Sequence, residues 1–171
     1  MRKLIVLYAL LLVNGIQGFA QKDRIPQLDY KGQELYRFLA KNIKYPNELK
    51  TCDRVKILAA IRLKLDAKGK ITFVEAVGNV GDTTKTHLRE VILKTDGYWK
   101  PQIISGKPVA SNLIILPIVF DLQNGCETST LYAYDGFKKS INEVFDVAKG
   151  GEACIIYNLT SIWALKESID N

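Results

Sequence analysis

A chain of 171 residues with 47% hydrophobic and 25% charged residues has the balance of a folded globular protein, sized for one domain plus an extension. Its formal charge of +6 comes from Lys and Arg scattered along the sequence rather than massed in one segment, and Arg2 and Lys3 carry two of those units. Without a basic cluster there is no electrostatic footprint for nucleic acid, so that function class is set aside.

The chain opens with Arg2 and Lys3, an unbroken apolar run from Leu4 to Val13, and then Asn14, Gly15 and Gln17, which break it. Gly18-Phe19-Ala20 puts small residues at the two positions a signal peptidase reads. Residues 1–20 therefore read as a signal peptide cleaved after Ala20, and the mature chain is expected in the periplasm or secreted. The rival is an uncleaved anchor over residues 4–20, which falls short of the roughly 20 apolar residues a spanning helix wants. Gln21 stands where a lipoprotein signal needs Cys.

Residues 21–30 form a short polar lead. From Gln33, the apolar positions Leu35, Phe38, Leu39 and Ile43 recur at helical spacing, and Tyr45-Pro46 ends that helix because the residue before proline is pushed out of the α region. Val55, Ile57, Ala59, Ile61, Leu63 and Leu65 then alternate with Lys56, Arg62 and Lys64, predicting a long strand with one buried face. Asp66-Ala67-Lys68-Gly69 is a turn, with Gly69 free to take a positive φ, and residues 71–77 return as the second arm of a hairpin.

Asp82, Thr83 and Thr84 are N-cap candidates for a second amphipathic helix carrying Leu88, Val91 and Ile92. Trp99-Lys100-Pro101 and Gly106-Lys107-Pro108 punctuate an irregular crossing, and residues 113–120 form an apolar third strand. The order helix, strand, strand, helix, strand predicts an α+β fold in which a small, three-stranded, mainly antiparallel sheet packs on two helices over residues 31–124. Residues 125–171 form an α/β extension of unassigned role. In it, Phe137, Ile141, Val144, Phe145 and Ala148 suggest a helix and residues 153–157 a short strand.

Chemistry-bearing patterns are sparse. The one histidine, His87, lacks the second histidine of a zinc-protease spacing, and no Cys pair stands at zinc-ligand distance. Ser105-Gly106-Lys107 has neither the upstream glycine nor the following Ser or Thr of a phosphate loop. No metal, cofactor or enzymatic activity is expected. Of the three cysteines, an exported chain would pair two, and Cys126 with Cys154 is the favoured bridge; three unpaired cysteines are the alternative.

Five signals stand in order between Tyr45 and Leu122. They are Tyr45-Pro46, the Asp66-to-Gly69 hairpin turn, Trp99-Lys100-Pro101, Gly106-Lys107-Pro108-Val109, and Pro117-Ile118-Val119-Phe120. Together the set resembles the C-terminal domain of TonB-family energy transducers, the Bacteroidetes-type forms in particular, over a little under half the chain. The resemblance implies a binding domain whose last strand captures a protein segment in the cell envelope, such as part of an outer-membrane receptor, and a link to TonB-dependent transport. On that basis the partner-binding edge comprises Leu113, Ile114, Ile115, Leu116, Pro117, Ile118, Val119 and Phe120. Pro117 agrees with this, since proline in a strand-like run marks an edge. Tyr45, Pro46, Gly69, Trp99, Pro101, Gly106 and Pro108 are read as fold motifs.

The chain departs from energy transducers in its reach. About ten residues separate the signal from the first helix, spanning roughly 35 Å at full extension, and there is no Pro-rich spacer. The alternatives are an anchored minimal transducer subunit, a small exported enzyme using a cysteine with His87, and a structural envelope protein.

Overall fold

The computed structural model describes residues 23–47, 56–123, 141, 144 and 153–165. The expected signal peptide, Cys52 and Cys126 lie outside these residues. The fold is mixed α+β, with described elements β1 (Gln27–Leu28), α1 (Leu35–Asn42), β2 (Lys56–Leu65), β3 (Ile71–Gly78), α2 (Asp82–Leu93), β4 (Trp99–Lys100), β5 (Gln102–Ile104), β6 (Lys107–Val109), β7 (Leu113–Gln123), β8 (Cys154–Ile156) and β9 (Thr160–Leu165). The expected order of helix, strand, strand, helix, strand is present as α1, β2, β3, α2 and β7. No helix among the described residues is long and apolar enough to cross a membrane.

The two helices form where their apolar stripes lie. Phe38 and Leu39 of α1 and Leu88, Val91 and Ile92 of α2 are buried together. The expected caps of α2 are displaced by one position: Gly81, in extended conformation, is the N-cap and makes no side-chain cap bond, while Asp82 sits in the first turn. A carboxylate there complements the positive end of the helix. The helix gives way at Thr95, whose hydroxyl donates to the Ile92 carbonyl and accepts a 2.8 Å bond from the Trp99 indole nitrogen. Trp99 is thereby fixed in the core at 3% exposure.

The β2–β3 hairpin turns at Asp66. Its carboxylate accepts the backbone N–H groups of Lys68 (2.8 Å) and Lys70 (2.9 Å). The Lys70 bond, then the Lys68 bond, hold the carboxyl below its usual range. Gly69 has φ +81°, and a Cβ there would stand 1.9 Å from the Trp99 carbonyl oxygen, so the turn tolerates only glycine.

The expected three-stranded sheet has five strands, in the order β3-β2-β7 with β8 and β9 both on the far side of β7. β2 pairs antiparallel with β3 and β7, whereas β8 and β9 run parallel to β7. Two of the five strands come from the expected extension, which is therefore part of the sheet rather than an appendage. Both sheet faces are buried. Ile57, Ala59, Ile61, Leu63 and Leu65 of β2 and Ile114, Leu116, Ile118 and Phe120 of β7 pack with the helices on the first face. Leu58 and Ala60 of β2 and Leu113, Ile115 and Val119 of β7 pack with Val144 on the second. Ile141 and Val144 are helical, as the sequence suggests for that stretch.

Arg62 is the charged exception on the second face, at 9% exposure. It donates to the Val144 carbonyl (2.9 Å) and lies 3.5 Å from a Glu75 carboxylate oxygen. The stretch read as a polar lead is likewise structured: β1 pairs with β4, and Arg24 bridges Ile103. The irregular crossing is a hairpin, β5 with β6, turning through Ser105 (φ +50°) and Gly106 (φ +77°). Positive φ at both central residues is the geometry of a two-residue hairpin turn.

Candidate functional site

The residues expected to form a free edge, Leu113 to Phe120, are interior. β7 is flanked by β2 along one side, with Ala60 opposite Pro117, and by the C-terminal strands along the other. β8 covers residues 113–115 and β9 covers residues 118–123, leaving Leu116 and Pro117 between them. Tyr157, in the link, donates its backbone N–H to the Ile115 carbonyl at 3.0 Å. Main-chain groups in a strand alternate sides with a period of two. Ile115 thus faces the C-terminal strands, and so does the donor-less nitrogen of Pro117, which meets the break between β8 and β9. Proline costs no ladder bond there, so its presence does not mark an edge.

The expected bridge between Cys126 and Cys154 falls on Cys126, which lies outside the described residues. Cys154 is a free, half-buried thiol in register with Leu113, packed against the second-face cluster. It also lies across the sheet from α2, which carries His87 on the first face, so those two residues form no catalytic pair. Of the fold motifs, Trp99 is core at 3% exposure, as is Phe120 of the expected edge at 0%. Tyr45 stacks edge-on to Phe120 with centroids 5.8 Å apart, and burial, then Asp121, push its phenol up to about 12. Pro101 separates β4 from β5, and Pro108 lies in β6 opposite Ile103.

Among the described residues the sheet ends in β3, which pairs only with β2, on one side and in β8 and β9, which pair only with β7, on the other. β3 is the edge that borders a groove. Carrying the same alternation across the registers Ala59 to Ile118 and Ala60 to Val77 turns the main-chain groups of Phe73, Glu75 and Val77 inward to β2. Those of Val74 and Ala76 point outward, while Thr72 is the extra residue of a bulge between the Lys64–Phe73 and Leu65–Ile71 pairs. Val74 and Ala76 pack on the helical face of the sheet. Glu75 turns to the other face, where Arg62 holds it.

Beside that edge lies an open groove of about 470 Å³, walled by residues 73–76 of β3 and by Asp82, Lys85, Thr86 and Arg89 of α2. These four helix positions form a single stripe over two turns, set apart from the stripe that α2 buries in the core. Such an arrangement can accept an extended chain, whose backbone would continue the sheet while alternate side chains enter the groove. The sequence singled out none of these residues as a binding surface. The usable signal was Leu58 and Ala60, whose apolar character on the supposed solvent face of β2 marks an interior strand and leaves its hairpin partner as the edge.

A second cleft, of about 580 Å³, lies between the chain after α1 and the start of α2, and includes Lys44, Tyr45, Thr83 and His87. The imidazole Nε2 of His87 is buried there without a hydrogen-bond partner. Among the described residues, no group of three or more His, Cys, Asp or Glu side chains is placed to hold a metal ion. Comparison with protein-family models, with curated proteins and with solved structures finds no match to this chain.

Proposed function

We propose that this protein is an exported binding domain of the TonB C-terminal type that captures an extended segment of a cell-envelope protein by β-strand addition at β3. The motif order supports the domain type, together with the sequence of elements α1, β2, β3, α2, β7. The single observation that carries the capture edge is the unpaired outer side of β3 beside an open groove of about 470 Å³. Strand addition supplies affinity through main-chain hydrogen bonds and selectivity through alternate side chains. An unpaired edge left open to solvent invites such pairing unless it is blunted.

The test uses one substitution chosen by register. Val74→Pro removes an outward N–H and leaves the β2 ladder whole, because the main chain of Val74 faces away from β2. Selection from a displayed random-peptide library should enrich strand-forming peptides on the wild-type chain, with binding lost in Val74→Pro. Failure to enrich any peptide, or enrichment of binders indifferent to that substitution, would remove β3 as the capture edge.

A further inference from the structure

We infer that the segment captured at β3 is acidic, with carboxylates at alternate positions set against Lys85 and Arg89. This deepens, and rests on, the reading of β3 as the capture edge. The helix wall of the groove carries three charges, those of Asp82, Lys85 and Arg89, and Glu75 lies on the strand side. Of the two acids, only Glu75 is ion-paired among the described residues. Glu75 faces the opposite side of the sheet, 3.5 Å from the Arg62 guanidinium. Asp82 occupies the first turn of α2, where the helix field favours a negative charge. Lys85 and Arg89 make no ion pair among the described residues. The groove's helix wall therefore presents two unpaired cations against one carboxylate, beside the apolar side chains of Val74 and Ala76.

Their spacing fits a strand. Four residues along a helix advance about 6 Å, and alternate side chains on one face of a strand recur about every 6.7 Å. An added strand would place two same-face carboxylates beside Lys85 and Arg89 in turn, with its other side chains directed to the far face of the sheet. A second copy of this chain fits less well. Two-fold pairing of β3 with β3 would set each Lys85 and Arg89 stripe on the same side of the joined sheet as its copy, bringing like charges together.

The experiment is fluorescence anisotropy on the full chain with two short dye-labelled peptides, one alternating valine with glutamate and the other valine with glutamine. At low salt, the glutamate peptide should bind about 3- to 10-fold more tightly, as expected for two exposed ion pairs. The gap should close at high salt and in the Lys85→Gln/Arg89→Gln double variant, while Val74→Pro should abolish binding of both peptides. Equal binding of the two peptides by the wild-type chain overturns the acidic preference and leaves β3 standing as the capture edge. Absence of binding by either peptide, or binding unaffected by Val74→Pro, overturns the capture edge and this inference with it. Concentration-dependent self-association that Val74→Pro abolishes, without peptide binding, assigns the edge to a second copy and also overturns the inference.

Discussion

The backbone N–H of Tyr157 reaches the carbonyl of Ile115 at 3.0 Å, and that bond ties the C-terminal segment to β7 immediately before Pro117. One residue pair thereby shows that β7 is not an edge. The side of β7 that the sequence leaves free is occupied by the protein's own C-terminal strands, so among the described residues the sheet's edges are β3 at one end and β8 with β9 at the other.

Substitutions along β7 should follow this alternation. Pro117→Ala introduces an N–H at the break between β8 and β9, so stability should change by no more than about 1 kcal/mol. Ile118→Pro removes a bond to β2 and truncates a fully buried side chain, and should cost at least about 2 kcal/mol. Urea unfolding of the two variants checks the contrast.

The C-terminal strands should behave as core. Ile162 of β9 is 8% exposed and packs in the helical-face cluster. Ile162→Ala should therefore lower unfolding free energy by about 2–4 kcal/mol, within one cooperative transition. An independent extension would instead unfold in a separate step, visible by calorimetry.

Two glycines of similar φ separate backbone strain from collision. A Cβ added at Gly97, where φ is +78°, would meet nothing within 4 Å, whereas one added at Gly69, where φ is +81°, would stand 1.9 Å from the Trp99 carbonyl oxygen. Gly97→Ala should cost about 1–2 kcal/mol, the left-handed penalty alone. Gly69→Ala should cost clearly more and shift the indole fluorescence of Trp99.

Alkaline titration should find two reluctant phenols. Tyr157 donates its hydroxyl to the Pro26 carbonyl, and burial pushes its pKa up to about 12, the value Tyr45 also reaches. Each folded pKa lies above the ordinary phenol value near 10. Each group's contribution to stability is therefore fully present below pH 10 and lost as pH rises through about 12. Tyrosinate absorbance should lag until the chain unfolds, and Tyr157→Phe should remove one lagging group at a cost of about 1 kcal/mol.

The element order and the core were legible because they rest on local periodicity. Leu35, Phe38 and Leu39, the alternation through Ile57 to Leu65, and the Asp66-to-Gly69 turn each carry their own signal. Pairing beyond neighbouring strands was not legible. Pro117 reads as an edge residue when only β2 is considered, and its position opposite the β8–β9 break depends on chain some 40 residues distant, which no local rule reaches. Leu58 and Ala60 did carry a usable signal, since apolar residues on both faces of a strand mark an interior one. The groove stripe of Asp82, Lys85, Thr86 and Arg89 reads in sequence as an ordinary solvated helix face and gains meaning only beside an unpaired strand.

Amide hydrogen exchange, resolved residue by residue in the full chain, addresses the central claim most directly. Ile115 and Val119, facing the C-terminal strands, should be protected as strongly as Ile118, which faces β2, while Val74 and Ala76 exchange rapidly until an acidic strand-forming peptide slows them. Rapid exchange at Ile115 and Val119 with slow exchange at Val74 in the free protein would contradict the account.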